Sequence, residues 1–134
     1  MPNPTELVRD ARLVVFLTLV VAILFSTTGE LFLMLGMKRV GELTFDVTTL
    51  VRTFTMPQII FGFVLFFTGA LFWLRVLGSE GTALSWAYPM LALGYPLVVL
   101  ESRLLLGEPV TAQRWLGTLV ILLGVTIMFG SWRR

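Results

Sequence analysis

The sequence has no cysteine and no histidine. The first absence excludes a disulfide framework and a thiolate metal site. The second removes the usual general base and the commonest metal ligand. Charge is scarce too: ten Lys and Arg with eight Asp and Glu make up 13% of 134 residues. An average soluble domain carries about 25%, so these charges are too few to cover a soluble surface of this size. The net charge is +2 and no basic run exceeds two residues, so nucleic acid is not an expected partner. There is no Gly-rich phosphate loop ending in Lys-Ser or Lys-Thr, and no serine has a histidine to activate it. The chain is therefore not expected to be an enzyme, and no cofactor or metal is expected. Disorder is excluded by what is present, because 57% of the residues are hydrophobic.

The few charges mark off long apolar runs. Arg12 and Lys38 enclose 25 residues with one charge, Glu30. Arg52 and Arg75 enclose 22 uncharged residues, Glu80 and Glu101 enclose 20, and Arg114 and Arg133 enclose 18. A bilayer-spanning helix needs about 20 mostly apolar residues. The pattern predicts an all-α integral membrane protein, a single domain over 1–134. Its four transmembrane helices fall at about 13–36, 56–77, 82–104 and 113–132. A water-soluble bundle would show polar residues every third or fourth position, and Ile59–Leu74 does not. The first run has a basic start, but Ser-Thr-Thr-Gly-Glu follows it where a signal peptide would have small residues for cleavage. It is expected to be a retained helix.

Four spans put both termini on one side. Arg9, Arg12, Arg75, Arg133 and Arg134 then oppose Lys38, Arg39, Arg52, Arg103 and Arg114. Five against five gives no orientation by the positive-inside rule. Either one orientation still wins, or two copies insert oppositely and pair. The first connection, about Met37–Thr55, is the longest. Its Leu43, Val47, Leu50, Val51 and Phe54 follow helical spacing. That suits an amphipathic turn or two at the membrane interface, or an ordered loop packed on its own protein.

The polar groups inside the spans suggest chemistry. Glu30 lies eight residues before Lys38, about 12 Å of helix. A charge at the bilayer centre costs at least about 2.5–3.5 kcal/mol, so it should face the bundle interior. It is a candidate cation or proton site; the alternative is a near-headgroup pair with Lys38 or Arg75. Ser26 is one turn back on the same face. In the third span Pro89 and Pro96 remove backbone donors, freeing the carbonyls of Ser85 and Ala92 and predicting a kink. Ser85, Tyr88, Ala92 and Tyr95 form one stripe there, with Trp86 among them in sequence. Broken membrane helices line cavities in this way; the alternative is a packing kink with interfacial tyrosines. Arg75, Arg103 and Lys38 are candidates for phosphate or headgroup contact. Small residues let helices approach closely in lipid. Gly62 and Gly69 in the second span, and Gly117, Gly124 and Ser131 in the fourth, are expected packing or dimer contacts. Trp132, Arg133 and Arg134 suit an interfacial anchor.

Several runs carry a family resemblance: Leu84–Pro96 with its Ala87-Tyr88-Pro89-Met90, Leu106-Gly107-Glu108-Pro109-Val110, Arg114-Trp115-Leu116-Gly117 and Leu122-Leu123-Gly124-Val125. Together they resemble the EamA-like branch of the drug/metabolite transporter superfamily. Within it the chain is most similar to the small four-helix aminoarabinose–undecaprenyl-phosphate flippase subunits. Gly29-Glu30-Leu31 stands where that branch carries Gly-Gln-Leu. The resemblance implies a half-size transporter that pairs with itself or with a similar subunit in a bacterial-type inner membrane. Its expected cargo is a lipid-linked sugar or related amphiphile, moved by alternating access. A more distant resemblance, to the small multidrug resistance exporters, implies instead that Glu30 exchanges protons for small organic cations. A non-transporting partner subunit is the third expectation.

Overall fold

The computed structural model describes residues 3–131; the expected anchor at Trp132, Arg133 and Arg134 lies outside them. Among the described residues there are helices and no strand. Helix α1 runs Pro4–Val40, 37 residues, or about 55 Å at 1.5 Å per residue. It begins where Asn3 accepts a hydrogen bond from the Thr5 N–H and Pro4 fits the first turn. It ends at Gly41, whose φ of +86° only glycine adopts easily. The helix thus exceeds the expected 13–36 at both ends. Arg9, Arg12 and Lys38 interrupt the apolar run but are good helix formers.

Helix α2, Val47–Thr55, occupies the long connection. Asp46 caps it, accepting from the Thr49 N–H at 2.9 Å and from the Thr44 hydroxyl. Those bonds, from the Thr44 hydroxyl first and then from Thr49, lower the Asp46 carboxyl to about 2. A depressed acid contributes stability that is full above its ordinary value of 3.8 and is lost as pH falls through about 2. Asp46→Ala is therefore expected to raise hydrogen exchange at the Thr49 amide at neutral pH, and Asp46→Asn to raise it little. Wild type should approach the alanine variant only below pH about 2.

Helix α3 is Pro57–Leu77, with Pro57 at its first position. The expected third span is not one helix. It divides into α4, Leu84–Met90, a single 3-10 turn at Leu91–Leu93, and α5, Gly94–Leu105. Pro89 lies inside α4, whereas Pro96 falls in the first turn of α5, where backbone donors lack intrahelical partners anyway. Helix α6 is Ala112–Ser131. Among the described residues, three helices are long and apolar enough to cross a membrane: Thr5–Val40, Pro57–Leu77 and Ala112–Gly130.

α1 and α3 pack antiparallel with their backbones nearly touching. A methyl on Gly29 would stand 2.7 Å from the Phe66 nitrogen, and one on Gly62 would stand 2.8 Å from the Leu33 nitrogen. Gly69 meets the Ala22 carbonyl and Ser26 in the same way. Gly62 and Gly69 thus serve contact within one chain. A methyl on Gly117 or Gly124 of α6 would meet no other described helix within 4 Å. At one end, Leu19, Ile23, Val76, Trp86, Ala87, Met90 and Val125 form the core, and Phe16 meets Phe129 edge-on at 5.5 Å. At the other end, Lys38 pairs with Glu108 at 2.9 Å, tying α1 to the α5–α6 connection. Outer faces carry exposed Leu, Val, Ile and Phe, such as Leu71, Val120 and Ile127.

Candidate functional site

Between the core and the Lys38–Glu108 end, α1, α3, α4 and α5 enclose a cavity of about 600 Å³ that opens to the outside. Its existence follows from local chain chemistry. The Gly29/Gly62/Gly69 contacts pull α1 onto α3, while the 3-10 turn that joins α4 to α5 places Leu91 and Ala92 in the lining. Gly94, at the start of α5, sits against Thr27 and Ile23, where an added methyl would come within 3.3 Å of Thr27. That contact seats the start of α5 against α1.

α1 contributes Ser26, Thr27 and Glu30 at one-turn spacing. α3 contributes Phe66 and Trp73, α4 contributes Tyr88, and α5 contributes Tyr95. Trp73 meets Tyr88 edge-on, with ring centroids 6.0 Å apart. Glu30 is exposed to the cavity and makes no ion pair among the described residues. Lys38, one of its expected partners, is held by Glu108 instead.

The other residues singled out from the sequence fall elsewhere. Trp86 is buried in the core and does not reach the cavity. Ser85 shares a face with Tyr88 but lies one turn lower, exposed and outside the lining. Arg75 and Arg103 are exposed at the ends of α3 and α5, away from the cavity lining. One further acidic residue belongs near the site: Glu101, which the sequence shows only as the boundary of an apolar run. Glu101 accepts a hydrogen bond from Thr28, two residues before Glu30 on α1, at 3.2 Å. Its partner lies 73 positions away, so no local spacing signals it.

An unpaired carboxylate beside hydroxyls and aromatic faces suits a cationic, hydroxyl-rich guest. The carboxylate takes an ammonium, the rings stack on apolar faces or on the cation, and hydroxyls complete hydrogen bonds. Pockets of about 300–1,000 Å³ hold small ligands, and this one has room for a monosaccharide.

Three apolar helices of spanning length among the described residues make this a multi-pass membrane protein. The chain is similar to small flippase subunits. It is 44% identical over 64 residues to the probable 4-amino-4-deoxy-L-arabinose-phosphoundecaprenol flippase subunit ArnE of Yersinia pestis (strain Pestoides F), covering 48% of this chain and 53% of that protein. The ArnE of Yersinia pseudotuberculosis serotype O:1b (strain IP 31758) matches equally. That of Serratia proteamaculans (strain 568) is 39% identical over 77 residues, covering 58% of this chain and 65% of that protein. The matched region thus spans about half the length of the Yersinia relatives. Those names describe transporter subunits, not enzymes. No family model matches the chain, and no solved structure does either.

Proposed function

We propose that this chain is one half of a dimeric transporter that carries a lipid-linked amino sugar across a bacterial inner membrane. The observation that carries the reading is the unpaired Glu30 carboxylate in a cavity between helices, flanked by Ser26, Tyr88 and Tyr95. Glu30 holds the amine of the sugar, Tyr88 and Tyr95 face its ring, and the lipid tail stays in the bilayer. Leu84–Leu105 serves as a fourth, broken span: its 22 residues reach about 33 Å if helical throughout. Rocking of α5 about the 3-10 turn gives alternating access. Arg75 and Arg103 lie near opposite ends, where each meets a phosphate or headgroup on its own side. The open Gly117 and Gly124 stripe on α6 takes a second four-helix subunit, identical or similar.

The test is flux in sealed liposomes containing the purified chain, alone and with a related subunit. The expected result is transfer of a polyprenyl-phosphate amino sugar and little transfer of the same lipid with the amine replaced by hydroxyl. Equal transfer of both would remove Glu30 from recognition. The exposed carboxylate also favours a second reading, proton-coupled export of small organic cations. That reading requires one proton released per cation bound, measurable in weakly buffered detergent solution.

A further inference from the structure

We propose that α2 lies in the plane of the membrane at the acyl–headgroup boundary, and that it sets the depth of the Glu30 cavity below the lipid headgroups. At about 100° per residue, the nine residues of α2 divide into three arcs. Leu50 and Thr53 fall together and turn toward the protein, with Thr53 buried. Thr48, Thr49, Arg52 and Thr55 share a broad polar arc, all of them exposed or partly exposed. Val47, Val51 and Phe54 occupy the arc between these two, within about 60° of one another, and stand 77%, 57% and 57% exposed. Phe45, just before the cap, is 90% exposed. An ordinary surface helix has two faces, one dry and one wet. Here a third face is apolar and more than half exposed, touching protein only where Phe54 reaches α3.

The bilayer is the occupant because that face continues onto membrane-spanning surface. Met56 alone separates α2 from α3, so α2 ends where the span begins. The Phe54 ring stacks on Phe63 of α3 at 5.9 Å, and Phe63 stacks on Phe67 at 6.0 Å. Phe54, Ile60, Phe63, Val64, Phe67 and Leu71 line one shallow apolar groove on the outer face of α3. A lipid chain filling that groove also covers the stripe of α2. Arg52 and the threonines then face the headgroups, and Lys38 and Arg39 at the end of α1 stand at the same level.

The depth of the cavity follows. Gly36 on α1 faces Ile59, the third residue of α3. Glu30 is six residues further in, about 9 Å along the helix. A carboxylate at that depth meets a headgroup amine whose phosphate remains at the surface, whichever amphiphile brings it.

Spin labels on single cysteines test this in the full chain, which has no native cysteine. The chain is placed in vesicles of phosphatidylethanolamine with a minority of phosphatidylglycerol. The sites are Phe45, Val47 and Val51 for the stripe, and Thr48 and Arg52 for the polar arc. The stripe labels are expected to collide severalfold more with oxygen, which partitions into lipid, than with a water-soluble nickel chelate. The polar-arc labels are expected to show the opposite preference. Nickel accessibility at Val47 and Val51 equal to that at Thr48 would make α2 a solvated loop and overturn the proposal. Protection of Val47 and Val51 from both reagents would assign the stripe to a protein partner and overturn it as well. All five positions are exposed, so labels there leave the fold intact.

Discussion

Replacing Glu30 with Gln is expected to cut transport of an amino-sugar lipid by about 10–100-fold while leaving the fold unchanged. A hydrogen bond to a charged group contributes about 1.5–3 kcal/mol, and each 1.4 kcal/mol is about tenfold. The substitution keeps the size but exchanges one acceptor oxygen for an NH2 donor, and it removes the charge that would hold an ammonium. Glu30 makes no ion pair among the described residues, so its loss orphans no partner and a misfolding effect is not expected. Ser26→Ala removes only a neutral hydroxyl from the lining and should cost about 2–10-fold, for about 0.5–1.5 kcal/mol. The measurement is initial flux in liposomes, with circular dichroism to verify folding. If Glu30→Gln transports as fast as wild type at every pH, the carboxylate does not bind the cargo.

Gly29→Leu should be the most damaging single change, giving protein that aggregates or fails to insert. Even the first added carbon would stand 2.7 Å from the Phe66 nitrogen and 2.8 Å from the Gly62 carbonyl oxygen. Both obstacles are backbone, so no rotamer change relieves them, and α1 must separate from α3 along its length. Overpacking costs about 1–3 kcal/mol in cores with flexible neighbours, and here the neighbours are fixed. The gain in helix propensity over glycine is only about 0.8–1 kcal/mol, so the clash wins. Gly124→Leu is the control: an added Cβ there would meet no other described helix within 4 Å, so it should fold and melt like wild type. If α6 joins two subunits, that variant will run as a monomer in mild detergent. Gly29→Leu protein that melts normally would show that the α1–α3 contact is looser than the structure has it.

These two residues also mark what the sequence made legible. Glu30 stood out because it was the only charge in a 25-residue apolar run. The cavity partners Tyr88 and Tyr95 were found by their helical stripe, which survives because the 3-10 turn between them shifts their register only modestly. The same stripe misplaced Ser85, since a helical period says which residues share a face but not how far the cavity extends along it. Trp86 entered the core because α4 turns that face toward α6 and α1, a choice made by tertiary packing. Gly29 drew attention only as a neighbour of Glu30. Its role depends on Phe66 and Gly62 lying opposite, and no single helix encodes that. The ends of α1 were misjudged for a different reason. Charges show where lipid gives way to water, whereas helices end at caps and glycines, here Asn3 and Gly41.

The length of α1 has a mechanical side. α3 ends at Leu77, near the level of Val15 and Leu19, which pack with Val76. The first turns of α1 continue past that level. Thr5 is 25 residues from Glu30, about 38 Å along a stiff rod. If α1 tilts by about 10° around the Glu30 level, Thr5 sweeps sideways by about 7 Å, by the same helix dimensions. The protruding end is therefore a pointer fixed to the cavity wall. A fluorophore at Thr5 would report small rotations at Glu30 as displacements large enough to follow by energy transfer.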